Sequence, residues 1–346
     1  MKIAVSGLNN TDNPAPGIPV IKSLNEKYST VGFAYDTNEP GNYMDIVRKT
    51  YLMPYPSLGF DELKTRLEEI QVKEKLDAII PNLDAELPLY IKHQKEIEAM
   101  GIKLCLPSAE NFELRNKNNL DVLAKQLDIT YPKTYEIGTI KELEEIVTVS
   151  KSQFPLMVKG NYYKAYMSHN FESAVENFYK ISNEWGFPIL VQEVVYGEEL
   201  NLVGVADGKG ELKGAVAIKK LTTTDLGKIW TAVTIQNEKL MNIAKKFVKE
   251  TLWKGPFELE CIVNMNQIYL IEINPRFPAW VYFATQIGVN LPEMLVDIMQ
   301  EKEIKPQLEY PQNKMYIRYT GEFVTDFTNF SKLLSSKELE NVQKSI

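Results

Sequence analysis

The stretch Gly255-Pro-Phe-Glu-Leu-Glu-Cys-Ile-Val-Asn-Met-Asn-Gln-Ile-Tyr-Leu-Ile-Glu-Ile-Asn-Pro-Arg276 constrains this chain more than any other part of it. It predicts two short strands joined by a turn at Asn264-Met265-Asn266-Gln267. Apolar residues dominate both strands, yet Glu258, Glu260, Glu272, Asn274 and Arg276 interrupt them. Strand side chains alternate faces, so Glu258 and Glu260 share one face, as do Glu272, Asn274 and Arg276. Pairing the strands crowds carboxylates together, and like charges that close repel unless a cation lies between them. Carboxylate and amide oxygens are hard ligands that suit Mg²⁺, which keeps waters and takes phosphate oxygens from a nucleotide. Arg276 is then placed to hold a phosphate or a carboxylate. The rival reading is a hairpin with one wet polar face. The apolar run Leu270, Ile271 and Ile273 opposes it.

The residues Glu272-Ile-Asn-Pro-Arg276, preceded by Glu260, resemble the metal-binding signature of the ATP-grasp superfamily. The form with Pro-Arg after the Asn is similar to the carbamoyl-phosphate synthetase and biotin carboxylase branch. The resemblance extends across roughly residues 1–300. It implies that Glu260, Glu272 and Asn274 bind the Mg²⁺ (or Mn²⁺) of MgATP.

At 346 residues the chain has room for two or three lobes, if domains average about 100–200 residues. Hydrophobic content of 44% and charged content of 25% suit a globular protein with a sizeable core. A net charge of −7 argues against nucleic acid or an anionic membrane as a general partner. Cys105 and Cys261, the only cysteines, lie in apolar runs and predict buried free thiols. Two histidines, His93 and His169, leave few candidates for a histidine zinc site or a serine hydrolase. Met1–Gly7 predicts a strand entering a turn, without a signal-peptide apolar region. No apolar stretch approaches the roughly 18 residues that a membrane span needs. A cytoplasmic protein is the expectation.

The predicted fold class is α/β and α+β: an ATP-grasp fold with an N-terminal Rossmann-like (pre-ATP-grasp) parallel-sheet domain. In residues 1–106, Lys2–Val5, Val31–Tyr35, Ala78–Pro81 and Lys103–Leu106 predict strands, and Ile18–Tyr28, Asp61–Glu74 and Glu86–Met100 predict helices. Strand–helix alternation implies a parallel sheet covered on both faces. Such sheets bind ligands at strand C-terminal ends, here Ser6–Gly17 and Pro81–Glu86. The first loop lacks GxGxxG, and Gly17 before an apolar helix offers amides to an anion as readily as it forms a plain connection. Residues 107–195 form the central nucleotide-lid subdomain: an amphipathic helix at Asn118–Leu127, strands at Pro132–Glu136, Pro155–Lys159 and Ile189–Glu193, and helices at Lys141–Val149 and Ser173–Asn183. Residues 196–346 form the C-terminal subdomain with the metal hairpin: strands at Leu200–Ala206 and Leu212–Ile218, a helix at Lys239–Leu252, and helical residues 279–300. The tail beyond 300 predicts one strand, at Met315–Val324.

Phe154-Pro-Leu-Met-Val-Lys159-Gly is an apolar strand ending in a lysine, and a charge on a buried strand needs a partner such as phosphate. By the resemblance Lys159 contacts the α-phosphate side of ATP. The family's glycine-rich phosphate loop falls at Gly160-Asn-Tyr-Tyr-Lys-Ala-Tyr-Met-Ser168, where one glycine remains and Asn161, Lys164 and Ser168 are the polar candidates. A Tyr162-Tyr163 lid is stiffer and offers fewer close amides. Ile189–Glu199 resembles the family's hinge: Gln192, Glu193 and Val195 face the adenine edge, largely through backbone groups, and Glu199 holds the ribose. Lys117 matches a basic ATP contact, and Lys219 and Lys220 are further candidates at the γ-phosphate. Residues 221–230 read as a polar loop, and Phe277–Phe283 as core packing ahead of an apolar substrate pocket.

The family reaction is ATP-dependent activation of a carboxylate to an acyl phosphate, which an amine, or sometimes a thiol, then displaces. Phosphoryl transfer needs positioning and charge neutralisation more than a covalent catalyst, and Arg276 is the catalytic residue expected to steady the acyl phosphate. The expected partners are small-molecule or peptide carboxylates and amines. Homodimers are common in the branch. The rival is a MgATP-binding regulatory module, suggested by the glycine-poor loop. No biotin-acceptor Met-Lys-Met motif is present.

Overall fold

Apolar runs alternating with amphipathic helices build the expected parallel sheet at the N-terminus. The computed structural model describes residues 1–11, 13–116, 119–160, 164–225 and 227–341. Its strands in chain order are β1 Lys2–Ser6, β2 Ser29–Ala34, β3 Lys49–Leu52, β4 Ala78–Ile80, β5 Thr134–Ile137, β6 Leu156–Gly160, β7 Ala165–Ser168, β8 Ile189–Glu193, β9 Glu198–Asp207, β10 Leu212–Thr223, β11 Ile229–Ile235, β12 Lys254–Asn264, β13 Gln267–Asn274, β14 Met315–Ile317 and β15 Glu338–Glu340. The chain divides into two units. One comprises Met1–Phe112, Asn201–Leu259 and Ile273–Ile346, and the other Glu113–Leu200 and Glu260–Glu272.

In the first unit, β1 lies between β2 and β4 and pairs parallel with both, and β2 pairs parallel with β3. Ile3, Ala4 and Val5 are fully buried, as a central parallel strand requires. β3 and β15 escape the sequence reading. Glu338–Glu340 returns to the far edge of this sheet and pairs antiparallel with Lys49–Tyr51. The predicted Lys103–Leu106 strand reduces to a single parallel bridge between Lys103 and Ala78. The predicted helix Glu86–Met100 is two short helices, Leu87–Lys92 and Gln94–Glu98, meeting at His93, whose ring stacks on Phe60.

A second sheet runs β13-β12-β9-β10-β11-β14, and the boundary between the units falls within β9, β12 and β13. The stretch 221–230 is strand at both ends: β10 continues through Lys219 and Lys220 to Thr223 and pairs antiparallel with β11, which begins at Ile229. The predicted Met315–Val324 strand shortens to β14, which pairs with β11, and a helix follows at Phe327–Ser336. The second unit holds a four-stranded antiparallel sheet, β5-β8-β6-β7. Leu156, Val158, Ile189 and Val191 on one face form its core with Leu143, Ile146, Phe178 and Ile181 of two helices. One helix, Ile140–Thr148, begins in a capping box in which Thr139 and Glu142 each satisfy the other's backbone amide. No helix among the described residues is long and apolar enough to cross a membrane.

Both cysteines are buried and free, and burial pushes each thiol up to about 12. The first sheet is tied to its covering helix Phe60–Glu74 by one carboxylate. Glu74 is 8% exposed and accepts from Lys2 Nζ at 2.7 Å, Lys49 Nζ at 2.7 Å and the Tyr51 hydroxyl. Burial by itself raises the Glu74 pKa, but the two ammonium groups and the phenol outweigh it and bring it down to about 2. An unfolded chain restores the ordinary value of 4.5. The stabilisation is therefore present above pH 4.5 and is lost as pH falls toward 2. The melting temperature, followed by circular dichroism, is expected to fall across that window. Glu74→Gln should lower it at neutral pH and make the acid limb shallower. An acid limb of unchanged slope in the variant would show that Glu74 does not drive it.

Candidate nucleotide and metal site

The polar face of the four-stranded sheet carries the first group of candidates, all within the second unit. Register places Met157 opposite Gln192 and Lys159 opposite Leu190, so Lys159 and Gln192 project from the same face, away from the core. Lys159 is 8% exposed, and its Nζ donates to Gln192 Oε1 at 2.5 Å. Gln192 Nε2 in turn donates to Thr134 Oγ1 at 2.7 Å. Tyr131 completes the network. Burial pushes its phenol up, hydrogen bonds to Thr134 and Gln192 oppose the rise, and the charges of Asp121 and Glu272 add to it. Tyr131 and Thr134 carry no motif of their own and escape the sequence reading. The link from Lys159 to the field of Glu272 runs through them.

Glu193 projects from the other face of β8. Its side chain accepts from Ser152 Oγ at 3.2 Å, and its amide donates to the Lys133 carbonyl at 3.0 Å. Val195 is half-buried, and Glu199, beside Glu198, is exposed at the start of β9. Lys117 lies outside the described residues, as do Asn161, Tyr162 and Tyr163. The described residues of the stretch expected to be a phosphate loop are mostly strand. β7 takes Ala165–Ser168, Lys159 sits opposite Ala165, and the Gly160 amide donates to the Lys164 carbonyl at 3.1 Å. Ser168 is fully buried and accepts from Asn177 Nδ2 at 3.0 Å, so its hydroxyl is spent inside the unit and not on a phosphate.

The other group lies in the first unit and centres on a carboxylate. Glu258, 4% exposed on β12, accepts from Asn201 Nδ2 on β9 at 2.7 Å and from Trp280 Nε1 at 2.8 Å through Oε1. Its Oε2 accepts from Asn274 Nδ2 on β13 at 3.0 Å. Asn274 is 7% exposed, and its Oδ1 is turned to Arg276, whose Nη2 lies at 3.4 Å. Arg276 also donates through Nε to Asp84 Oδ2 at 2.9 Å and through Nη1 to the Phe277 carbonyl at 3.2 Å. Asp84 belongs to the loop after β4 that the parallel sheet marks as a ligand loop. Its pairing with Arg276 joins segments 192 residues apart and leaves no trace in the sequence. The same loop is pinned by Glu86, which accepts from the Ser6 and Tyr35 hydroxyls and from the Asn82 and Leu83 amides. Burial raises the Glu86 carboxyl above its usual range. In the first loop the Gly17 amide is taken by the Gly7 carbonyl at 2.9 Å, and a Cβ on Gly17 would lie 2.3 Å from the Ser6 oxygen. Gly17 thus serves close backbone packing and not an anion. Phe277, Trp280 and Phe283 are buried, as the core reading of that run expects.

Glu260 and Glu272 are half-buried and belong to the second unit, and Asn274 belongs to the first. β13 runs unbroken through Glu272 and Asn274, so the two share a face of that strand, as Glu258 and Glu260 share a face of β12. Among the described residues no group of three or more His, Cys, Asp or Glu side chains is spaced to hold a metal. Glu260 and Glu272 offer carboxylate oxygens in the second unit and Asn274 an amide oxygen in the first, and oxygens of these kinds are hard donors that suit Mg²⁺ or Mn²⁺.

A family model described as ATP-grasp in the biosynthetic pathway with Ter operon matches residues 187–323, which takes in β8 to β13 and Arg276. The carbamoyl phosphate synthase large chain of Clostridium acetobutylicum is 23% identical over 314 residues, covering 85% of this chain and 27% of its own length. The chain spans about a quarter of the length of the curated relatives it matches. The biotin carboxylase domain of Hydrogenobacter thermophilus 2-oxoglutarate carboxylase, solved with MgADP, ADP and bicarbonate, superposes with a TM-score of 0.69 at 15% identity, over 91% of this chain and 73% of that one. An L-amino acid ligase from Bacillus licheniformis gives a TM-score of 0.66 at 16% identity, over 88% of this chain and 77% of that one. The Glu-x-Asn-Pro-Arg hairpin lies within residues 187–323, which match the ATP-grasp family model, and the chain has the fold of these solved structures.

Proposed function

We propose that this protein is an ATP-dependent ligase that joins a carboxylate to an amine through an acyl phosphate and releases ADP and phosphate. The observation that carries the reading is the network Lys159–Gln192–Thr134, which holds a buried ammonium on the polar face of the second unit's sheet. In this reading Lys159, with Lys117, offsets phosphate charge. Gln192, Glu193 and Val195 read the adenine edge, and Glu199 takes the ribose hydroxyls. Glu260, Glu272 and Asn274 hold Mg²⁺ or Mn²⁺, and the ion when bound supplies neutralisation of the phosphate charge. The substrate carboxylate attacks the γ-phosphorus, ADP leaves, and the amine displaces phosphate from the acyl carbon. Arg276 is the group that steadies the acyl phosphate. Its orientation by Asp84 and Asn274 supports that role, because a guanidinium fixed in advance needs no reorganisation during reaction. The acids and amines are small molecules or peptides, the protein is cytoplasmic, and a homodimer is the assembly to test first.

The glycine-poor connection between β6 and β7 favours a second reading, a MgATP-binding regulatory module with weak or no turnover. A phosphate-release screen over amino acids, dipeptides and small carboxylic acids with MgATP separates the two. The ligase reading expects phosphate only when both a carboxylate and an amine are supplied, and an acyl hydroxamate when hydroxylamine replaces the amine. AMP and pyrophosphate as products would sink the acyl-phosphate route. Glu272→Gln should lower turnover by about a hundredfold or more, on the scale of other lost electrostatic contacts to a transition state.

Lys159→Met separates binding from folding. The change removes the cost of burying an ammonium but leaves Gln192 Oε1 without its donor, so the two effects oppose each other and the ligand-free melting temperature should change little. The rise in melting temperature with MgADP, measured by differential scanning fluorimetry, should be largely lost. A full MgADP response in the variant would remove Lys159 from the nucleotide site.

A further inference from the structure

Strand alternation groups Glu258 with Glu260, yet the surroundings of Glu258 give it a different task. It is 4% exposed, and three neutral N–H donors from Asn201, Trp280 and Asn274 converge on it. We infer that Glu258 is a positioning residue that sets which end of the Asn274 amide is offered to the metal. This rests on the proposed role of Asn274 as a ligand.

An asparagine amide can be turned end for end with little change in shape, and only its hydrogen-bond partners decide which end is oxygen. Only the oxygen end can bind a hard cation. Glu258 Oε2 accepts from Nδ2, which leaves Oδ1 at the end facing Arg276. The carboxylate achieves this because both of its oxygens accept. A glutamine at this position would have one oxygen and one NH₂. Trp280 decides which goes where: the indole N–H is donor-only and cannot reverse, so the glutamine oxygen must stay at the Oε1 position, 2.8 Å from Nε1. The glutamine NH₂ then takes the Oε2 position and meets the Asn274 NH₂ donor to donor. Asn274 relieves the clash by turning over, which gives up the longer contact from Arg276 Nη2 at 3.4 Å to keep the shorter one with position 258 at 3.0 Å. Its oxygen now accepts from the introduced amide, and its NH₂ faces Arg276 and the metal position.

The inference makes a prediction about paired changes that a packing role does not. Glu258→Gln presents the wrong end of Asn274. Asn274→Asp alone sets two buried carboxylates against each other, where a 3.0 Å N–H···O contact now stands. Together the changes are compatible. One oxygen of the introduced aspartate accepts from the NH₂ of the introduced glutamine, and the other faces Arg276 and the metal. The measurement is Mn²⁺ binding in the presence of ADP, read by electron paramagnetic resonance, with a melting temperature for each full-length variant. Glu258→Gln should weaken Mn²⁺ by about 10–100-fold, the usual effect of losing a partner that orients a ligand. Asn274→Asp should weaken Mn²⁺ or destabilise the fold. The double variant should return to within about threefold of wild type, a strongly non-additive pair. Glu258→Gln that binds Mn²⁺ as wild type does, or a folded double variant no better than the worse single one, overturns the inference. Asn274→Ala separates the two levels. If it leaves Mn²⁺ binding intact, the ligand role and this inference fall together. If it weakens binding while Glu258→Gln does not, only the inference falls.

Discussion

A carboxylate removed from water must be met by donors, and the first unit is organised around one that is. Glu258 gathers amide donors from β9 and β13 and the indole of Trp280. Leaving a buried polar partner unmatched costs about 1–3 kcal/mol, so each of these contacts restrains the others. The consequence reaches well beyond the hairpin. Asn274 held by Glu258 faces Arg276, and Arg276 reaches Asp84 in the loop that follows β4. Glu86 then fixes that loop against β1 and β2 through Ser6 and Tyr35. A single chain of hydrogen bonds thus ties the second sheet's hairpin to the C-terminal ends of the parallel strands, where an α/β sheet presents its ligand loops.

The second unit solves a different problem with a smaller sheet. Four antiparallel strands can bury one face against helices and leave the other polar. Leu156, Val158, Ile189 and Val191 occupy the buried face, and Lys159 and Gln192 the opposite one. An amide oxygen is a strong acceptor for an ammonium but carries no net charge. Glu193 shows the same logic in reverse. Its side chain turns away toward Ser152, so whatever it contributes on the polar side must come from its backbone.

Periodicity makes the parallel core, the capped helices and the hairpin legible, because each is a local pattern. Short strands without a pattern are not. β3 is four residues and β15 three, and their partnership joins Tyr51 to Glu338 across most of the chain. β7 reads as loop because Ala165–Ser168 is too short to show alternation, and residues 221–230, which take in only the start of β11, read as loop because Thr222–Lys228 is rich in turn formers. At the site, residue type and spacing mark Glu260, Glu272, Asn274, Arg276 and Lys159. They do not reveal that Glu258 is the carboxylate of the Glu-Leu-Glu pair that is spent on neighbours. Two glutamates on one strand face look alike until burial separates them. Asp84, Asn201 and Tyr131 stay hidden for a related reason: none sits in a motif, and each matters only through a partner brought close by folding.

The burial gradient along β12 sets those two glutamates in different surroundings. Glu258 is closed off, Glu260 is half-buried, and Asn264 at the turn is exposed. A carboxylate at the closed end has its lone pairs committed to N–H groups that cannot leave without leaving holes. A carboxylate further out stays partly exposed to water. The same two-residue step separates Glu272 from Asn274 on β13, with the charged group toward the open end and the neutral amide toward the closed one. Placing charge where water remains and neutral oxygen where it does not keeps the desolvation cost low. A hairpin with these residues in the reverse order would bury both charges and expose the group that needs no water.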